Sequence, residues 1–152
     1  MAEHWPDLAG RREGNVHILP VRVYYEDTDF SGAVYHANYL KFCERGRSDW
    51  LRLLGIQHHK LEDVKLEGMG FVVRRMVCEF LKPARIDDVL EVETQFLESS
   101  GARLELEQRV RRGADLLFYA HVTVALVDGA GRPRRLPKDM AAVMKSLSES
   151  GL

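Results

Sequence analysis

Two rhythms of apolar and polar residues divide the chain. Val21, Val23 and Tyr25 alternate with Arg22 and Tyr24, the period of a strand with one buried face. The run "EDTDFSGA" that follows is rich in Asp, Ser and Gly and predicts a turn. From about Ala37 the period lengthens. Tyr39, Cys43, Trp50 and Leu54 recur at helical spacing, Leu40 and Leu51 widen the stripe, and Lys41, Arg45, Ser48, Asp49 and Arg52 take the outer face. Gly55 suits the C′ position and closes a helix of about five turns, near 27 Å. Gly46 inside that helix costs about 1 kcal/mol against alanine, which points to another backbone packed close by.

After a polar connector over residues 57–68 the period returns to two. "FVVRRMVCEFLKPARI" predicts a strand ended at Pro83. "VLEVETQFL" sets Leu90, Val92, Thr94 and Phe96 on one face, and Glu91, Glu93 and Gln95 on the other. A turn at residues 99–101 leads into "RLELEQRVRR", with Leu104, Leu106 and Val110 inward, and a turn at 113–115 leads into "LLFYAHVTVALV". That last strand is apolar on both faces, so one covers the core and the other calls for a partner subunit. The order of elements predicts an α+β fold, an antiparallel sheet of about five strands wrapped around one long central helix.

Length and composition narrow the class. At 152 residues the chain suits one domain, divided here into an extension (1–15), a folded body (16–145) and a tail (146–152), the two ends read as flexible. A hydrophobic share of 45% with 30% charged residues is that of a globular protein, and a net charge of -1 argues against nucleic acid as a partner. No apolar run reaches the roughly 20 residues of a membrane span, and the N-terminal stretch lacks the apolar core of a secretory signal. Cys43 and Cys78 are too few for a disulfide scaffold and fit a reduced, cytoplasmic setting. The histidines form no ligand cluster such as HExxH, so neither a metal nor another cofactor is expected.

The chemistry-bearing stretch is "YEDTDFSGAVYHANY", residues 25–39. It links a strand to the predicted helix, whose first N–H groups have no intrahelical partner and, with the helix dipole, favour developing negative charge. A carbonyl lodged there would be polarised towards an oxyanion. Asp29 could then serve as nucleophile or general base, and His36 could donate or accept a proton. Spacing alone leaves a plainer reading open, in which Asp29 caps a turn and His36 is simply solvated. Asp27, beside Thr28, reads as a structural turn residue.

Three segments carry a family likeness: "YYEDTDFSGAVYHANYLKFCERGR", "FVVRRMVCEFLKPARIDDVLEVET" and "RPRRLPKDM". Together they resemble the hot-dog-fold acyl-CoA thioesterases of the 4-hydroxybenzoyl-CoA thioesterase family, most of all its Tol–Pal-associated, YbgC-type branch, across residues 21–140. The resemblance implies a sheet wrapped round a long helix and hydrolysis of an acyl-CoA, with acyl carrier protein as an alternative acyl donor. It places the catalytic carboxylate on Asp29, the turn glycine on Gly32, and the donor to the thioester oxygen on the backbone of His36. It also implies a homo-oligomer, a tetramer built from paired dimers. Coenzyme A, as part of the substrate, brings phosphates that arginine and lysine would meet. Arg74, Lys82, Arg85, Arg103 and the run from Arg132 to Lys138 are candidates, with Ser99 beside Arg103 in the hairpin that the resemblance assigns to the nucleotide. Tyr25 and Tyr39 are candidate walls of the acyl pocket. Glu44, two turns beyond His36, reads as a structural salt-link residue. The rival from another class is a non-catalytic acyl-binding or interaction module on the same fold.

Overall fold

The computed structural model describes residues 9–54 and 69–149. Strands β1 (Arg11–Glu13), β2 (Val16–Arg22), β3 (Gly70–Phe80), β4 (Val89–Ser100), β5 (Arg103–Arg112) and β6 (Asp115–Val127) form one sheet in the order β1-β2-β4-β5-β6-β3. Every pair in it is antiparallel. Helix α1 (His36–Leu53) packs across β2, β4 and β5, and helix α2 (Lys138–Glu149) against β4. The predicted class and the single long helix hold. The strand count rises from about five to six because residues 11–13, inside the stretch read as an extension, pair with β2. Helix α2 likewise runs on beyond the boundary drawn at residue 145. The connector at 57–68 and the capping glycine at 55 fall outside the described residues.

Alternation along β4 and β5 produces the core. Leu90, Val92, Thr94, Phe96, Leu104, Leu106 and Val110 are all buried, as the period of two requires. Against them α1 lays Tyr39, Phe42, Cys43 and Trp50, and α2 closes the far end with Met140 and Met144. A fully buried side chain such as Phe42 contributes on the order of 1.5–3 kcal/mol. Gly46 is a place of close approach, to side chains of the sheet and not to the backbone that the sequence suggests: a Cβ there would lie 2.9 Å from Val92 Cγ1 and 3.1 Å from Thr94 Oγ1. The glycine thus allows the helix to sit flush on the sheet, and this seat fixes where its amino end emerges.

Buried polar residues enter this core in two partnered groups, one around Gln108 and one around Asp49. Gln108 Nε2 donates to the Cys43 carbonyl and to Thr94 Oγ1, both at 2.9 Å, while Arg47 donates to its Oε1 at 3.0 Å. Asp49, expected on the outer face of the helix, is instead buried. Its Oδ2 lies 2.7 Å from both His17 Nε2 and the Gly10 N–H, and Arg52 reaches Oδ1 at 3.2 Å. A charged side chain reads as outward by default, and only its partner on β2 overrides that.

The second face of β6 also differs from its pattern. Thr123 Oγ1 donates to Glu105 at 2.7 Å and the Tyr119 hydroxyl to Glu107 at 2.8 Å, so cross-strand polar side chains cover that face from within the chain. The uncovered apolar surface lies on β3 instead. This edge strand exposes Val72, Val73, Val77 and Phe80 while Phe71, Met76 and Cys78 pack inward. Leu81 extends the exposed row.

Candidate active site

The loop between β2 and α1 is built by backbone hydrogen bonds. A 3₁₀ turn over Tyr25–Asp27 follows the strand, and Asp27 holds it by accepting the Tyr24 N–H on Oδ2 at 2.8 Å. The Asp27 carbonyl accepts from the Tyr35 N–H at 2.9 Å and from Asn38 Nδ2 at 2.8 Å. Asp27 is therefore the structural aspartate of the stretch. Beyond it Thr28 bridges Val34, the Asp29 N–H donates to the Ala33 carbonyl at 2.9 Å, and Gly32 turns the chain with φ of 85°. Such a positive φ favours glycine. The Val34 N–H is anchored on the Ala84 carbonyl at 2.8 Å, which ties the loop to the segment leading into β4.

This frame leaves the amino end of α1 uncapped. Tyr35 occupies the N-cap with extended backbone and no capping side chain, and the first turn holds no acid. Among the described residues no acceptor meets the N–H of His36 or Ala37. Those donors and the helix dipole converge on the surface beside the loop. Asp29 stands within reach of the field of His36 and is exposed. Hydrogen bonds from Ser31, first from its hydroxyl and then from its backbone, hold the Asp29 carboxyl below its ordinary value, with the Ala33 backbone and His36 acting in the same sense. The carboxylate is ionised at neutral pH and can accept a proton or attack a carbonyl.

Shallow cavities lie on either side of this pair. One of about 320 Å³ is lined by Tyr25, Thr28, Asp29, Phe30, Gly32 and Ile86. The other, of about 230 Å³, is lined by Val34, His36, Tyr39 and residues 80–83. Aromatic rings surround the second: the His36 ring meets Phe80 edge-on at 6.2 Å, and Tyr39 stacks on Phe118 at 5.1 Å. The Tyr39 hydroxyl accepts the Ala84 N–H at 3.0 Å, and burial raises its pKa. Tyr39 thus packs in the core and contributes only an edge to the cavity. Tyr25 is 82% exposed and Phe30 fully so, which leaves both free to meet a ligand.

Of the residues singled out in the sequence, Tyr25, Asp29, Gly32, His36 and Tyr39 come together here. Arg74, Ser99 and Arg103 do not. Ser99 lies ten residues along β4 from Val89, about 33 Å at strand rise. Arg74 sits at a register irregularity in β3, six residues before Phe80 and about 20 Å from it along the strand. The cation at the His36 cavity is Lys82, paired with Asp115 at 3.1 Å. Glu44 is exposed and lines a separate cavity of about 240 Å³ with Arg47, Ser48, Phe71 and Val73, between α1 and β3. Among the described residues it makes no ion pair with Arg47. Phe30, Ser31, Phe80 and Ile86 were not anticipated at the site. Phe30 and Ser31 stand one and two residues from Asp29, and that adjacency was the signal for both, while Phe80 and Ile86 depend on the fold.

A model of the thioesterase-like superfamily matches residues 23–144. The chain is similar to the acyl-CoA thioesterase YbgC of Haemophilus influenzae, with 43% identity over 88% of this chain and 97% of that one. Its similarity to the acyl-CoA thioester hydrolase YbgC of Escherichia coli is 45% identity over 83% of this chain and 93% of the other. Among solved structures, a probable thioesterase from Bartonella henselae superposes with a TM-score of 0.77 and 45% identity, covering 80% of this chain and 99% of that one.

Proposed function

We infer from these matches that the chain, which belongs to the thioesterase-like superfamily, is an acyl-CoA thioester hydrolase, and we propose that Asp29 and the amino end of α1 carry its chemistry. The observation that supports this reading is an ionised carboxylate within the field of His36, one short loop from the uncapped end of the helix. The thioester carbonyl lodges against the His36 N–H, so that charge on its oxygen builds up in the field of the donors. Asp29 then either attacks the carbonyl carbon, giving a mixed anhydride that water hydrolyses, or takes a proton from a water that attacks. In both cases the C–S bond breaks and coenzyme A leaves as thiolate. The His36 imidazole, beside Phe80, lies where it can orient the thioester or the water.

The working unit in this reading is an oligomer. β3 presents an unpaired edge and a row of exposed apolar residues, the surface on which a second copy adds antiparallel to itself. A two-fold near Met76 would set Val72 of a second copy beside Phe80. Val72 pairs with Ala125 and Ala125 with Arg103, so that end of the second copy carries Arg74, Arg103 and Ser99 towards the His36 cavity. Residues that one chain keeps apart would then serve one substrate, the cations meeting its phosphates. Among the described residues no helix is long and apolar enough to cross a membrane, and both cysteines are free, which supports a cytoplasmic enzyme.

The test is thiol release from a panel of acyl-CoA and acyl-carrier-protein substrates. Release from at least one acyl-CoA is expected. Ligand binding without release from any of them would favour an acyl-binding module.

A further inference from the structure

Between Asp29 and Gly32 the chain carries Ser31, which donates twice to the same oxygen of the Asp29 carboxylate. Its backbone N–H reaches Oδ1 at 2.8 Å and its hydroxyl at 2.5 Å. Both of these bonds fall on Oδ1, and the Ala33 backbone N–H also favours the ionised carboxylate. We propose that Ser31 is a positioning residue, holding Oδ1 so that Oδ2 is the oxygen that attacks the thioester or takes the proton from water. This rests on the reading of Asp29 given above.

Geometry makes the two oxygens inequivalent. An exposed aspartate turns freely about its last side-chain bond, whereas here any partial turn breaks both bonds from Ser31 and a full half-turn only interchanges two identical oxygens, so one oxygen is always held and the other presented. The donors occupy the lone pairs of Oδ1 with short, charge-assisted hydrogen bonds and leave those of Oδ2 for the reacting group. Holding a reactive atom at a fixed place lowers the barrier by avoiding reorientation during the reaction.

The hydroxyl is not needed to close the loop. Asp29 N–H to Ala33 O at 2.9 Å, Gly32 N–H to Asp29 O at 3.0 Å and Val34 N–H to Ala84 O at 2.8 Å already do so through the backbone. Removing the hydroxyl therefore alters the carboxylate and leaves its scaffold. The other groups around Asp29 are the Ala33 backbone N–H, His36 from α1, and Arg85, exposed on the segment that bridges Ala33. His36 favours the ionised carboxylate, as the Ser31 donors do.

The experiment compares Ser31→Ala, Ser31→Thr and Asp29→Asn, each shown to be folded, by kcat, KM and the pH profile of kcat/KM for thiol release. Ser31→Ala is expected to lower kcat on the order of tenfold with KM little changed. It should also shift the acid limb of the profile to higher pH, because the carboxylate loses its strongest stabilising donor. Ser31→Thr, which keeps the hydroxyl, should restore both. With Asp29→Asn inactive, a Ser31→Ala enzyme that keeps the parent kcat and acid limb overturns the proposal. A fall in kcat with an unmoved acid limb and no rescue by threonine marks a structural role, and also overturns it. An active Asp29→Asn enzyme overturns the underlying reading of Asp29, and this proposal with it.

Discussion

Replacing His36 by proline isolates the backbone donor proposed for the thioester oxygen. Proline is at home in the first turn of a helix, where its missing N–H would have no helical partner and its fixed φ fits. The residue before it must be extended, and Tyr35 already is, with φ of -63° and ψ of 133°. The fold thus loses no hydrogen bond, since the His36 N–H has no acceptor among the described residues. What disappears is one donor to developing charge, worth about 2.7–4 kcal/mol in comparable sites, or 10²- to 10³-fold in kcat. The substitution also removes the imidazole, so His36→Ala, which keeps the N–H, is the necessary companion. Thiol release would be followed for both, with far-ultraviolet circular dichroism confirming the fold. The expected result is a loss of about 10²-fold or more for proline beyond that for alanine. Equal losses would assign the effect to the side chain, and a folded proline variant with ordinary turnover would refute the oxyanion role altogether.

Three further outcomes follow from the packing and the electrostatics. Gly46→Ala places a methyl group 2.9 Å from Val92 Cγ1, so overpacking of about 1–3 kcal/mol should outweigh the helix-propensity gain of about 1 kcal/mol, and thermal unfolding should show a lower Tm. Burial depresses the His17 pKa below 6.5, against the opposing pull of Asp49, so the unfolded chain binds the proton more readily. Stability should therefore begin to fall as pH drops below 6.5, and His17→Gln should flatten that slope in denaturant titrations. The lowered carboxyls of Asp88, Asp115 and Asp128 lose their contribution only below their ordinary value of 3.8, so the onset of the slope near 6.5 is not theirs. Val77→Lys, at an exposed position of the edge strand, should weaken self-association in sedimentation and lower thiol release at the same time.

How much of this could be read in the residues depended on whether a signal was local. The alternation of β4 and β5 and the stripe of α1 follow from burial of one face, and each inward residue named from the pattern on those two strands is buried. Gly46 was legible because a glycine inside a helix needs a reason, and the close sheet supplies it. Strand β1 was not legible, since its three residues are all exposed and charged. Asp49 was misplaced because its burial depends on His17, 32 residues away on another element. The loop that holds Asp29 and His36 could be found from the change of period alone. Its separation from Arg74, Ser99 and Arg103 could not, because it depends on which end of each strand meets the helix.

The central claim is that the Asp29 carboxylate, facing the amino end of α1, hydrolyses an acyl thioester. Asp29→Asn tests it most directly, because the amide keeps the shape of the side chain and an acceptor for Ser31 but cannot take up a proton or form the anhydride. Thiol release from the best acyl-CoA of the panel should fall by at least about 10²-fold, with the protein folded and still binding its substrate. Turnover at the rate of the unaltered protein would contradict the claim.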